Sequence, residues 1–168
     1  MCPDARVAFT TLYHQKAATV YRYFHHQVDQ VQDAEDLTAT TFLTALARFG
    51  HYQPEQGSLS AWLFGIAHNC LREHRRRSRP VEQLPLELLD QQPLPERQVL
   101  SAERAIALRR AIRELPAEQS EALALRFFGG LRTRDVAAVL GKSEGAVKML
   151  VHRAVTALRD CSTWEDWR

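Results

Sequence analysis

TRDVAAVLGKSEGAVKMLVHR, residues 133–153, predicts two short helices joined by a tight turn. Val136 and Leu140 lie one helical turn apart, which gives the first helix an apolar edge. Gly141 can take the positive φ of a sharp helix exit, and Ser143 has a hydroxyl oxygen that can cap the next helix. This layout is typical of a helix-turn-helix, which presents its second helix to a DNA major groove. The alternative is an ordinary helical hairpin with a solvated outer face.

The composition favours helix and sets broad limits on the class of protein. The 168 residues suffice for one medium or two small domains, and Gly and Pro are few, at seven each. No apolar run reaches membrane-spanning length and the N-terminus lacks a signal-peptide pattern, so we expect a cytoplasmic protein without membrane insertion. Cys2, Cys70 and Cys161 are far apart and show no C-x-x-C spacing, which predicts reduced thiols and neither a disulfide framework nor a metal site.

Charge is segregated along the chain although the formal net charge is only +2. Five arginines lie within eight positions and are opposed only by Glu73: Arg72, Arg75, Arg76, Arg77 and Arg79. This density favours nucleic-acid binding over the alternative of a solvated helix end. Residues 81–98 follow with acidic side chains and three prolines, which predicts an acidic, mostly extended linker between two helical units.

Helical periodicity runs through the chain on both sides of this linker. Asp33 is expected to cap a second helix that runs to about Arg48. A third helix carries an apolar stripe over residues 59–71 and continues into the arginines. Because Trp62 and Phe64 are two residues apart they cannot share a face, and we expect Trp62 mainly in the core and Phe64 nearer the surface.

Three segments in this order resemble the bacterial sigma factors of RNA polymerase: DAEDLTATTF at 33–42, WLFGIAHN at 62–69 with its arginines, and Leu115-Pro116 leading to the helix-turn-helix. The short layout is similar to the extracytoplasmic-function (ECF) group, which keeps only regions 2 and 4. The resemblance implies an all-α fold of two small helical domains joined by a flexible linker. The implied divisions are region 2 at 1–80, the acidic linker at 81–100, region 4 at 101–161 and a tail at 162–168.

The resemblance also implies three sets of functional residues. Those implied for binding core polymerase are Asp33, Glu35, Asp36, Leu37 and Phe42, although dipole stabilisation of a helix N-terminus is an alternative role for the acids. Those implied for the minus-10 strand are Trp62, Asn69, Arg72, Arg75, Arg76 and Arg77. Those implied for the minus-35 duplex are Arg132, Thr133, Ser143, Glu144, Lys148, Met149, His152 and Arg153.

The chain departs from the family pattern at three positions. Gly65 stands where the family often has an arginine, and a helical glycine costs roughly 1 kcal/mol relative to alanine. Met149 and Leu150 stand where a serine-arginine pair is frequent. Met149 would therefore contact bases through apolar surface rather than through hydrogen bonds.

The function implied is that of an alternative sigma factor, which needs no cofactor and catalyses nothing itself. Its implied partners are core RNA polymerase, through the β′ clamp helices and the β flap, promoter DNA, and an anti-sigma factor that could hold it at the membrane. The acidic linker would act either as a tether or as a segment threaded toward the RNA exit channel. The rival interpretations are a stand-alone helix-turn-helix regulator and a non-catalytic protein-interaction module. No glycine-rich phosphate loop, nucleophile elbow or zinc-protease motif supports an enzyme.

Overall fold

The structure, a computed structural model, describes residues 3–77 and 96–160, with the side chains of 6–77 and 105–160. Every regular element in these two ranges is helical, which confirms the all-α prediction. The α-helices are α1 (Pro3–His25), α2 (Val31–Arg48), α3 (Leu59–Arg77), α4 (Glu96–Glu114), α5 (Ala117–Phe127), α6 (Thr133–Leu140) and α7 (Glu144–Asp160). Two 3₁₀ turns, Phe49–His51 and Pro54–Gln56, lie between α2 and α3. We call α1–α3 the N-terminal unit and α4–α7 the C-terminal unit.

Helix α2 begins three residues earlier than the sequence predicted. Its first residue is Val31 and its N-cap is Gln30, whose side chain makes no capping hydrogen bond. Asp33 is therefore a first-turn residue and the prediction that it caps the helix is wrong. Because neither Val31 nor Gln32 breaks a helix, the chain can turn helical before Asp33, whose charge still favours the N-terminal end of the dipole.

The prediction for Trp62 and Phe64 of α3 is wrong, because Phe64 is the more buried of the two. Phe64 is fully buried, whereas Trp62 is half-buried against Phe49 and Tyr52 with ring centroids 6.2 and 5.5 Å away. Phe64 is covered because Gly129 of the C-terminal unit lies against its ring. The spacing of Trp62 and Phe64 separates their faces correctly, but it does not show that the C-terminal unit covers the face of Phe64.

The C-terminal unit begins before the predicted end of the linker. Helix α4 starts at Glu96, so residues 96–100 of the predicted linker are helical. This stretch contains no glycine or proline and consists mostly of good helix formers. Pro116 is the N-cap of α5. The rest of the linker, Arg79, Cys2, Cys161 and the tail at 162–168 lie outside the described residues.

The two units share one apolar core. The larger cluster joins Phe24, Leu63 and Leu71 of the N-terminal unit to Leu125 and Val136 of the C-terminal unit. A smaller cluster closes α4 against α5 and α7. The shared core fixes α6 alongside α3, and so sets how the two candidate DNA-binding helices, α3 and α7, are arranged.

Candidate nucleic-acid interface

The helix-turn-helix is formed by α6, α7 and the turn between them, as the sequence predicted. Gly141 ends α6 with φ 63°, and the following N–H, that of Lys142, donates to the carbonyl of Ala137 at 3.0 Å. Ser143 Oγ accepts a hydrogen bond from the N–H of Ala146 at 3.2 Å, which satisfies a free donor of the first turn of α7. The turn is thus defined by backbone geometry and a side-chain cap.

One face of α7 is anchored and the other is open to solvent. Val147 is fully buried beside Val136 of α6, and Ala154 and Leu158 continue the buried side toward the end of the helix. The predicted minus-35 residues that are exposed are Arg132, Ser143, Glu144, Lys148, Met149, His152 and Arg153, while Thr133 is half-buried. An anchored helix with cations and Met149 on its open face can enter a major groove without unfolding any part of the unit.

Helix α3 presents two stripes of different environment. Phe64, His68, Leu71 and Arg75 recur at three- and four-residue spacing and face the C-terminal unit. The second stripe carries Asn69, Arg72 and Arg76, all exposed. The predicted minus-10 residues are therefore divided: Asn69, Arg72, Arg76 and Arg77 lie on free surface, Trp62 is half-buried, and Arg75 is held at the contact between the units.

The exposed arginines at the end of α3 share one acidic neighbour. Glu73 accepts hydrogen bonds from Arg76 Nη2 at 2.7 Å and from Arg77 Nε at 2.9 Å. The hydrogen bond to Arg76 lowers the pKa of the Glu73 carboxyl below its ordinary value. Surface pairs of this kind contribute little stability, so a phosphate can replace Glu73 as the partner of either guanidinium.

A groove of about 460 Å³ lies on the surface between α2 and α3. Asp33 and Asp36 line its α2 side, and Asn69, His74 and Arg77 line its α3 side. His74 Nε2 is 3.7 Å from Asp33 Oδ2. The groove thus brings acids predicted to bind polymerase next to residues predicted to bind DNA.

The predicted polymerase-binding residues of α2 do not all reach the surface. Glu35 and Asp36 are exposed and Asp33 is half-buried, but Leu37 and Phe42 are buried in the core. Phe42 packs edge-on to Tyr13, with ring centroids 4.9 Å apart. Leu37 and Phe42 can position this helix, but their side chains are not open to a partner.

A polar cluster between the two units was not predicted from the sequence. Glu121 of α5 is buried and lies close to Tyr23, His68 and Arg75 of the N-terminal unit. Beside it, Gln27 Nε2 donates to Ser120 Oγ at 3.0 Å. The available signal was an acidic side chain within the otherwise apolar run of residues 121–125.

The described residues contain no group of three or more His, Cys, Asp or Glu residues that could hold a metal ion. None of their helices combines the length and apolar character needed to cross a bilayer. Cys70 is a half-buried free thiol.

Comparison with known proteins agrees with this two-part architecture. Residues 12–80 match Sigma-70 region 2 and residues 105–158 match Sigma-70, region 4. The chain is 42% identical over 155 residues to the ECF RNA polymerase sigma factor BldN of Streptomyces coelicolor, covering 90% of this chain and 59% of that protein. It is 31% identical over 150 residues to the ECF RNA polymerase sigma factor SigD of Mycobacterium tuberculosis, covering 84% of this chain and 70% of that protein.

A solved structure shares the fold at low sequence identity. The sigma factor RpoE from Bartonella quintana, solved in complex with the anti-sigma factor NepR, matches with a TM-score of 0.71 at 22% identity. The match covers 91% of this chain and 95% of that one. Both sigma regions are present in the expected order, and the chain belongs to the ECF family of RNA polymerase sigma factors.

Proposed function

We propose that this protein is an alternative sigma factor that binds core RNA polymerase and directs it to specific promoters. The observation that carries the proposal is the pairing of two different nucleic-acid surfaces in one chain. Helix α7 offers exposed cations on a helix-turn-helix, and α3 offers an exposed amide flanked by arginines. The first suits duplex DNA and the second suits a single strand.

The minus-35 contact would be made by the open face of α7. Lys148 and Arg153 supply cations for bases or phosphates, and His152 supplies a ring nitrogen. Met149, with 51% of its surface exposed, would contact a thymine methyl group. Arg132, Thr133, Ser143 and Glu144 lie at the starts of α6 and α7 and would set the position of the helices on the duplex.

The minus-10 contact would be made by the exposed stripe of α3. The amide of Asn69 can both donate to and accept from the edge of a base that has left the stack. Arg72 and Arg76 would hold the neighbouring phosphates, so binding should weaken as salt rises. The half-exposed ring of Trp62, packed against Tyr52 of the preceding loop, offers an aromatic surface beside them.

Core polymerase would be bound through the exposed acids of α2, chiefly Glu35 and Asp36. Such acids would pair with basic side chains of the β′ clamp helices and steer association. The C-terminal unit would meet the β flap. We propose an anti-sigma factor as a further partner, because fold neighbours such as RpoE were solved with one.

The remaining parts of the proposal concern the chain as a whole. The protein would act in the cytoplasm, either free or held at the membrane by its anti-sigma partner, without a cofactor and without catalysing a reaction itself. We propose region 2 at 1–80 and region 4 at 101–161 as its domains, with the first turn of α4, residues 96–100, preceding region 4. Their sequence matches, 12–80 and 105–158, support these bounds.

Run-off transcription tests the proposal directly. Bacterial core polymerase is assayed with and without the protein on a pooled library of genomic promoters. We expect discrete transcripts that require the protein, with shared sequence elements upstream. Tight duplex binding by the protein alone, together with no transcripts, would indicate a stand-alone regulator instead.

A further inference from the structure

The two units are closely packed against each other at their interface. Phe64 of α3 is completely buried, and its ring stands edge-on to Tyr23 at 5.6 Å. A Cβ at Gly129 would lie 3.2 Å from the Phe64 ring, closer than most real Cβ contacts. His26 stacks on Phe128 with ring centroids 3.7 Å apart and planes 7° apart. The units therefore meet through complementary surfaces.

Glu121 lies at the centre of this interface. Only 7% of its side chain is exposed, and its hydrogen-bond partners among the described residues all belong to the other unit. Oε1 accepts a hydrogen bond from Tyr23 Oη at 2.8 Å and lies 2.5 Å from His68 Nδ1, while Arg75 Nη1 is 3.4 Å from Oε2. A buried carboxylate is costly unless it is paired, so the pairing of Glu121 depends on the units staying together.

The same contact restrains residues of the candidate DNA-binding helix. Arg75 donates to Glu121 and also to the side-chain oxygen of Gln27, so both ends of its guanidinium are held. His68 is only 15% exposed. In this closed arrangement the guanidinium of Arg75 is engaged by Glu121 and Gln27, whereas Asn69 and Arg72 remain on free surface.

A promoter demands a different arrangement of the two units. The minus-10 and minus-35 elements are numbered by their positions in base pairs, so they lie about 25 base pairs apart. This distance is roughly 80 Å along B-DNA. A compact chain of 168 residues has a radius of gyration of roughly 15 Å. With α6 packed on α3, the protein cannot contact both elements at once.

We propose that Glu121 is an autoinhibitory latch, which holds the two units of the free protein together and must release before both promoter elements are bound. The inhibitory effect of the latch on promoter binding rests on the proposed function, but the contact between the units is a property of the free chain. When the units separate, the Glu121 carboxylate loses its contacts with Tyr23, His68 and Arg75 and becomes hydrated. Release also frees Arg75 for the DNA backbone, so promoter binding compensates for part of the lost contact.

Small-angle X-ray scattering of the full-length protein tests the latch without polymerase. Glu121→Gln keeps the shape of the side chain and removes its charge. Glu118→Gln is the matched control, because Glu118 lies one turn earlier on α5 and pairs with Lys142 of its own unit. We expect a larger radius of gyration for Glu121→Gln than for the wild type and no change for Glu118→Gln.

Tyr23→Phe provides a second, gentler variant in case Glu121→Gln does not fold. It keeps the ring against Phe64 and removes only the hydroxyl donor, so a smaller expansion is expected. Helical circular dichroism identifies any variant that has unfolded. Equal radii for wild type, Glu121→Gln and Tyr23→Phe would overturn the latch.

Run-off transcription separates failure of the latch from failure of the proposed function. With core polymerase, Glu121→Gln should need several-fold less protein than wild type for half-maximal transcription, at an unchanged maximum. Expansion without transcripts from any variant would leave the latch standing and refute the sigma-factor function. The opposite outcome is transcription by the wild type, with Glu121→Gln equal to it in radius of gyration and in the concentration for half-maximal transcription. That outcome would support the sigma-factor function and refute the latch.

Discussion

The phenolic hydroxyl of Tyr23 donates a 2.8 Å hydrogen bond to Oε1 of Glu121, 98 positions further along the chain. Burial, followed by the nearby charge of Glu121, raises the pKa of Tyr23 well above its ordinary value. Burial alone would raise the pKa of Glu121, but hydrogen bonds to His68 and Tyr23 lower it below the usual value. Near neutral pH the phenol is therefore a stable donor and the carboxylate a stable acceptor.

Two glycines should respond oppositely to alanine. A Cβ at Gly129 would lie 2.6 Å from the Leu125 carbonyl oxygen and 3.2 Å from the Phe64 ring, whereas a Cβ at Gly65 meets nothing within 4 Å. We expect Gly129→Ala to lower the free energy of unfolding by about 1–3 kcal/mol. Gly65→Ala should raise it by roughly 0.5–1 kcal/mol, because the unfolded chain loses freedom. Urea denaturation measures both, and a neutral Gly129→Ala would mean that the close approach is absent.

Asn69→Ala should impair promoter melting while leaving the fold and polymerase binding intact. Its side chain is exposed, and losing a base contact of about 1–3 kcal/mol should reduce open complexes by about fivefold to 150-fold. Permanganate footprinting of the minus-10 strand measures the opening. Gln15→Ala removes an exposed amide from α1 and serves as the control. Normal reactivity in Asn69→Ala would refute the assignment.

Lys148→Glu should abolish use of the cognate promoter. The reversed charge on the open face of α7 would face DNA phosphates and base edges that carry negative potential. Run-off transcription from a promoter with an intact minus-35 element measures the loss. Arg6→Glu makes the same charge change on exposed surface of α1 and should transcribe normally. Equal transcription by both variants would mean that α7 docks through another face.

Asp36→Lys should weaken binding to core polymerase. Asp36 is exposed on α2, where its carboxylate would pair with basic side chains of the clamp. Competition with a labelled sigma factor for core polymerase measures the affinity, and the loss should shrink as salt rises. Glu114→Lys, at an exposed position near the end of α4, is the control. Unchanged affinity in Asp36→Lys would place the polymerase contact elsewhere.

Lowering the pH from 7 to 5 should weaken the contact between the two units through His26. Burial, followed by neighbouring positive charges, lowers its pKa from 6.5 to about 4, and its Nδ1 is buried with no hydrogen-bond partner among the described residues. The neighbouring charged or titratable groups are Arg22 and His25 of α1 and Arg109 and Arg113 of α4, with Asp29 paired to Arg113. Between about pH 4 and 6.5 an exposed His26 binds more protons than the buried one, so falling pH favours separation.

Imidazole NMR titration checks the His26 prediction. The ring should titrate near pH 4 in the wild type. The variant His26→Phe keeps an aromatic ring against Phe128 and removes the titrating group. It should therefore reduce the pH dependence of the radius of gyration between pH 7 and 5. A wild-type midpoint near 6.5 would show that His26 is not held in the contact.

Much of the helical arrangement could be predicted from residues close together in the sequence. Gly141 and Ser143 act within a few residues of the turn that they form, so their roles are readable directly. The apolar stripe of α3 is likewise local, since residues three and four apart share a face. Asp33 was misjudged because competing helix starts nearby differ little in energy.

The sequence by itself determined the helices and the turn of the helix-turn-helix, because these depend on local periodicity and capping. Only the tertiary structure decided that Phe64 is buried, that Arg75 is held and that Glu121 is shared between the units. Their partners lie far away along the chain, as Glu121 does from Tyr23, and nothing in local sequence encodes such a contact. Burial of a charge depends on the whole packed surface around it, which exists only once both units have come together.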